Sequence, residues 1–301
     1  MKLKRKAKEF CKKLARRIFE IGQRCGVDVI PHHFYSPLPD LQELNRSMYW
    51  KEPYRMTGVN GSSTETQLEF VDECCNGDLI RRQKIEDIFD YGVRENNEQG
   101  FGQIEAIFLF CFIFTKRPER IIQIGYGLST VIILYAAKNA GYKPYITCID
   151  PYPNGFLRKS HDLNDIKLIS KKAQLVNEEE LTNLGSNGLL FVDSTHTVKP
   201  RSEVNRIVLE VLPRLKIGNR VHFHDINFPY GYSPRILRDE LFFPNEPVLL
   251  HAFLIDNYKY TLKVSLSMLH YADPEKFRSF FPQNCPSKSD YGMIISEGDF
   301  S

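Results

Sequence analysis

The chain has 301 residues, 42% of them hydrophobic and 26% charged, which suits one large α/β domain with appendages or two small domains and excludes a disordered chain. Its formal net charge of +3 excludes a broadly basic nucleic-acid binder, and the most apolar run, AIFLFCFIF at 106–114, is far too short to span a bilayer. The cysteines at 11, 25, 74, 75, 111, 148 and 285 are odd in number and lack metal-knuckle spacing, as expected of reduced thiols in a cytoplasmic protein.

Residues 1–24, MKLKRKAKEFCKKLARRIFEIGQR, hold ten Lys or Arg against Glu9 and Glu20, a net of +8 that leaves −5 for the remainder. Leu3, Ala7, Phe10, Leu14, Ile18 and Ile21 recur at helical spacing, so residues 1–26 read as a basic amphipathic helix with no signal-peptide centre. Its apolar stripe suits packing on its own protein or a sister subunit in a homo-oligomer, or peripheral contact with the inner face of an anionic membrane. No nucleic acid is expected as a partner, because no basic face extends the helix. Residues 27–100 run from IPHHFYSPLPD through short helical patterns such as TETQLEFVDECC and read as an irregular helical lead-in.

From residue 101 to 301 the pattern changes. RIIQIG, LSTVIILYAAKNAG, YITCID, GLLFVD, SEVNRIVLEVLPRLKIG and RVHFHD alternate strand-like and helical segments, which predicts a doubly wound, Rossmann-like, mostly parallel sheet. YKYTLKVSLSM and YGMIIS add two further strands, one of them a candidate antiparallel strand. Gly125-Tyr126-Gly127 follows the first strand and precedes a helix, where glycine lets the backbone turn sharply beside a ligand. A dinucleotide fingerprint would place glycine at 130, which is Thr130. Asp150 ends the next strand, where a carboxylate can accept two hydroxyls of a ribose, so the pattern predicts an adenosine-containing cofactor.

Between GLLFVD and RVHFHD, Val204, Ile207, Val208, Val211, Leu212 and Leu215 form one helical stripe that Gly218 can terminate. A strand–helix–strand crossover puts both strand ends on one edge of the sheet, with adjacent strands about 4.8 Å apart. Asp193 and Asp225 are therefore expected side by side, with His196 and His224 close to them. Two such carboxylates repel each other, which favours a cation between them or a shared proton, and for a divalent metal Asp193, His224 and Asp225 are the expected ligands. Along RVHFHD, Val221 and Phe223 point one way and His222 and His224 the other.

From about 101 to 296 these motifs resemble the class I S-adenosylmethionine-dependent methyltransferases, and more narrowly a bacterial branch with LFVDSTH followed by EVLPRLKIGNRVHFHDINFP; HHFYSPLPD extends the likeness upstream. The resemblance implies S-adenosylmethionine as cofactor. Its methionine part would be lined by Gly125, Gly127 and Ser129, with Gln123, Tyr126 and Asp193 also in the cofactor site and Asp150 on the ribose. It further implies magnesium on Asp193 and Asp225, and His196 as the base for methyl transfer to a hydroxyl of a small, sugar-like acceptor. Two positions depart from the family pattern: Gln123 stands where an acidic residue is usual, and so does His224. A metal-independent or nitrogen-directed enzyme, or a methyltransferase-like binding protein, stands as the alternative.

Overall fold

The apolar runs after residue 101 become one seven-stranded sheet in the computed structural model, which describes residues 2–44, 46, 49–75, 87–97, 99–282, 285 and 293–297. In chain order the strands are β1 (Arg120–Ile124), β2 (Tyr145–Ile149), β3 (Lys167–Ile169), β4 (Gly188–Val192), β5 (Arg220–Phe223), β6 (Tyr260–Ser265) and β7 (Met293–Glu297). Their spatial order is 3-2-1-4-5-7-6. The first five are parallel, and β7 inserts antiparallel between β5 and β6. This is the Rossmann-like, doubly wound arrangement of class I methyltransferases. Of the expected YGMIIS strand, Tyr291 and Gly292 lie outside the described residues.

Both faces of the sheet are covered, which is why its strands read as nearly unbroken apolar runs. Ile121, Ile146, Cys148, Leu189 and Phe191 face one core, closed by the Gln103–Lys116 and Leu128–Asn139 helices. Ile122, Ile124, Ile149, Leu190, Val192, Val221 and Phe223 face the other, against Ile207, Val208, Val211, Leu212, Leu250 and Leu254. The crossover helix between β4 and β5 starts at Glu203 but widens to a π-helical stretch at Ile207–Val211 and tightens to a 3₁₀ turn at Leu212–Arg214. It stops there, ahead of Gly218. That glycine, at φ +92°, lies so close to the chain at Ser186 that a Cβ would sit 2.3 Å from the Ser186 carbonyl oxygen.

The chain divides into two compact units, Met1–Ser47 and Met48–Ser301. The first contains the helix Lys2–Arg24. In the second, the Thr64–Cys74 helix joins the sheet: buried Gln67 accepts the Ser265 N–H at the end of β6 at 2.9 Å and donates to the Gly61 carbonyl at 2.9 Å. No disulfide joins the seven cysteines; Cys11 and Cys25 are exposed and the other five buried. No helix among the described residues is long and apolar enough to cross a membrane.

Candidate active site

The carboxyl ends of β2, β1, β4 and β5 line up in that order, and the residues singled out in the sequence gather there. At the end of β1, Gly125 has φ +84°, and a Cβ on it would lie 2.0 Å from the Asp193 carbonyl oxygen. Only glycine lets the β1 turn pass beside the end of β4. Gly127 faces open space: the nearest atom to a Cβ there, Asn96 Nδ2, is 4.0 Å away. Tyr126, between them, reaches toward β2, its hydroxyl 3.4 Å from the Tyr152 carbonyl. Asp150 follows β2, half-buried, and accepts the Tyr152 N–H at 2.6 Å. Burial raises its pKa, against the pull of that N–H, and the charge of Asp193 raises it further.

Gln123 and Ser129, expected in the cofactor site, are buried beneath the glycine turn. Gln123 is fully buried; its amide nitrogen donates to Ser129 Oγ at 2.8 Å and its oxygen accepts from Thr130 Oγ1 at 3.0 Å. Ser129 is buried too. Both side chains tie β1 to the start of the Leu128–Asn139 helix from beneath the turn. Glutamine suits this position because a carboxylate would have to be desolvated there.

Asp193 ends β4 with its side chain 25% exposed. Three residues on, His196 is buried in a left-handed backbone conformation, φ +54°. Its carbonyl accepts the N–H groups of Asn245 (3.0 Å) and Glu246 (3.1 Å), which holds that conformation against its strain. Its ring is set by Glu246, a fully buried carboxylate at the start of the Glu246–Leu254 helix, 2.8 Å from Nδ1. Nε2 is left facing Asp193 Oδ1 at 3.8 Å. Burial disfavours the imidazolium, but the two carboxylates outweigh it and lift the His196 pKa to about 9. Glu246, fifty residues away in sequence, was not picked out from the sequence; its only signal is an acid opening an apolar helix.

Asp225 follows β5, also left-handed at φ +52°, its carbonyl accepting the Tyr232 hydroxyl at 2.7 Å. Its side chain is 46% exposed, and burial of the remainder raises its pKa, with Asp193 adding to the rise. The two aspartates thus meet at adjacent strand ends. His224 lies beside Asp225, its Nε2 3.5 Å from Asp225 Oδ1. Its side chain and that of His222 point to the Gln103–Lys116 layer, where buried Glu105 receives them: Glu105 Oε1 is 2.9 Å from His224 Nδ1 and 3.5 Å from His222 Nε2. His224 Nε2 faces the Gly100 carbonyl at 2.9 Å. Both nitrogens of His224 therefore meet acceptors, which a neutral ring cannot satisfy and an imidazolium can. Glu105 lifts its pKa well above the usual value in spite of burial, whereas burial pushes that of His222 down.

The expected metal centre of Asp193, His224 and Asp225 does not fit this geometry. A ligating imidazole needs a nitrogen lone pair directed at the ion, and both His224 nitrogens are spent on Glu105 and Gly100. Two carboxylates remain, and no group of three or more His, Cys, Asp or Glu among the described residues is arranged to hold a metal.

Residues 122–226, from β1 to just past β5, match the family described as a methyltransferase domain. An uncharacterised protein of Archaeoglobus fulgidus is 28% identical over 200 residues, 62% of this chain and 85% of its own length. Among solved structures, the SAH-bound methyltransferase PaMTH1 of Podospora anserina aligns over 89% of this chain and 100% of its own at 13% identity and TM-score 0.42. The branched-chain polyamine synthase of Thermus thermophilus aligns over 66% of this chain and 58% of its own at 11% identity and TM-score 0.41.

Proposed function

We propose that the sheet, whose residues 122–226 match a methyltransferase domain, carries a class I S-adenosylmethionine-dependent methyltransferase that moves the methyl group to a hydroxyl of a small metabolite with His196 as base. The observation that carries this reading is the acidic rim. Asp150, Asp193 and Asp225 stand at neighbouring strand ends around a glycine turn, and burial raises the pKa of Asp150 and Asp225, with the charge of Asp193 adding to both. That mutual repulsion is relieved by a cationic ligand. S-adenosylmethionine, when bound, supplies a methyl group on a cationic sulfur, which keeps the electron pair of the broken C–S bond as the C–O bond forms.

The residues do the rest. In this reading Asp150 accepts ribose hydroxyls, and Gly125 and Gly127 let the backbone approach the ligand. Holding acceptor and methyl in line can lower the barrier by several kcal/mol, on the order of 7 in favourable cases. An alcohol is a poor nucleophile until its proton leaves, and His196 Nε2 receives that proton while Glu246 holds the ring and stabilises the imidazolium. No step here passes through a metal.

Calorimetric titration with S-adenosylhomocysteine tests the cofactor half. Binding is expected for the native chain and a loss of roughly ten- to hundredfold for Asp150→Ala, the worth of a hydrogen bond to a charged group; no heat from the native chain overturns the reading. Labelled methyl transfer to a panel of hydroxylated metabolites tests the other half. His196→Ala should lower the rate by about 10²–10⁴-fold with the titration unchanged. Activity that survives a chelator is the expected result, and activity abolished by it returns the case to the magnesium-assisted reading.

A further inference from the structure

One face of the Lys2–Arg24 helix plays no part in the chemistry above. Phe10, Leu14, Ile18 and Ile21 are 68%, 49%, 44% and 61% exposed. Spacings of four, four and three residues put them on one side of the helix. The unit does pack this helix, but on another side: Ala15, Phe19 and Gly22 are half-buried, and a Cβ on Gly22 would be 2.5 Å from the Val27 carbonyl oxygen. Lys12, Lys13, Arg16, Arg17 and Arg24 are exposed, and residues 1–24 net +8.

Three kinds of partner could meet this face, and the charge separates them. A second copy of this helix, packed stripe to stripe, would set +8 against +8. A nucleic acid would answer the lysines and arginines but leave four large apolar side chains in water. An anionic bilayer surface answers both, with headgroup charge for the basic residues and an acyl layer just beneath for the stripe. The helix is about 34 Å long at 1.5 Å per residue, and its ten cations bar it from spanning the bilayer, so it fits the surface lying flat. We propose that Lys2–Arg24 is a peripheral anchor that seats the full chain on anionic lipid, with Phe10, Leu14, Ile18 and Ile21 inserted at the headgroup boundary.

Sedimentation of the full chain with large unilamellar vesicles is the test. Binding is expected to vesicles of roughly one-third phosphatidylglycerol in phosphatidylcholine, and little to phosphatidylcholine alone. Lys13→Gln and Arg17→Gln should each weaken it about fivefold, and the double variant Leu14→Glu/Ile18→Glu at least about tenfold. Equal binding to neutral vesicles, or indifference to the double variant, overturns the proposal. So does light scattering that shows a dimer dissolved by the same double variant, or binding to an oligonucleotide without binding to vesicles. All these positions are solvent-exposed, so S-adenosylhomocysteine affinity measured on the same variants should not change; it reports on the methyltransferase reading separately.

Discussion

Gly125 concentrates the largest constraint of the site in the smallest residue. Replacement by alanine sets a Cβ 2.0 Å from the Asp193 carbonyl in a left-handed conformation. The backbone cost is about 1–2 kcal/mol and the overpacking about 1–3. Gly125→Ala should therefore lose about 2–5 kcal/mol in urea denaturation and weaken S-adenosylhomocysteine binding, since the turn can relieve the clash only by moving. His196 carries a second prediction, in pH. A base works only when deprotonated, and a pKa raised to about 9 means that kcat/KM should climb through neutrality and level off near that value. A profile flat above pH 7 would remove His196 from the role. Gly125, Asp150, Asp193, His196 and Asp225 were legible in the sequence because strand ends can be read from apolar runs, and parallel crossovers bring strand ends to one edge. Glu105 and Glu246 were not. Each is a single acid beside an apolar stretch, and its histidine is 119 or 50 residues away.

At the scale of elements, the Glu105–His224 contact ties the Gln103–Lys116 helix to β5. Its pH dependence has two limits. His224 has a raised pKa, so its stabilisation is complete below the ordinary value of 6.5 and is lost as pH rises through the folded value. Glu105 has a lowered one, so its share is present above 4.5 and lost as pH falls through the folded value. The tie is thus strongest between those two pH values. Glu105→Gln leaves a buried cation without its anion and should cost about 3–5 kcal/mol near pH 6, a difference from the native chain that shrinks as pH rises through the raised His224 value. A loss that stays constant through the titration of His224, followed by NMR, would mean that packing alone is at stake. The alternation of strands and helices from β1 to β5 followed from residue pattern, as did the opposite faces of RVHFHD. The strand β3 did not, because Lys167–Ile169 is three residues long, with Lys167 exposed and the other two half-buried. Nor did the early stop of the crossover helix. Pro213 offers no N–H to continue it, and Gly218 serves a close backbone approach instead of a helix end.

For the whole molecule, the division at Ser47 and Met48 predicts that removing residues 1–24 leaves S-adenosylhomocysteine affinity within about twofold, a change of some 0.4 kcal/mol; a large loss would place the helix in the cofactor-binding unit. The sheet has an order of manufacture as well as an order in space. The strand that precedes Asp225 is flanked on one side by β7, and sixty-nine residues lie between Phe223 and Met293, its register partner. At about 5–20 residues per second, a ribosome takes about 4–14 s to make that interval. Throughout it, β5 can pair with β4 but shows its other edge unpaired to any neighbouring chain. A nascent chain arrested near residue 290 should therefore be more protease-sensitive at residues 220–226, and more prone to aggregate, than one released with β7 in place. The acidic rim, whose residues are all made by position 225, would on this timetable exist before Glu246 and β7 are made, with one neighbour of its last strand still missing.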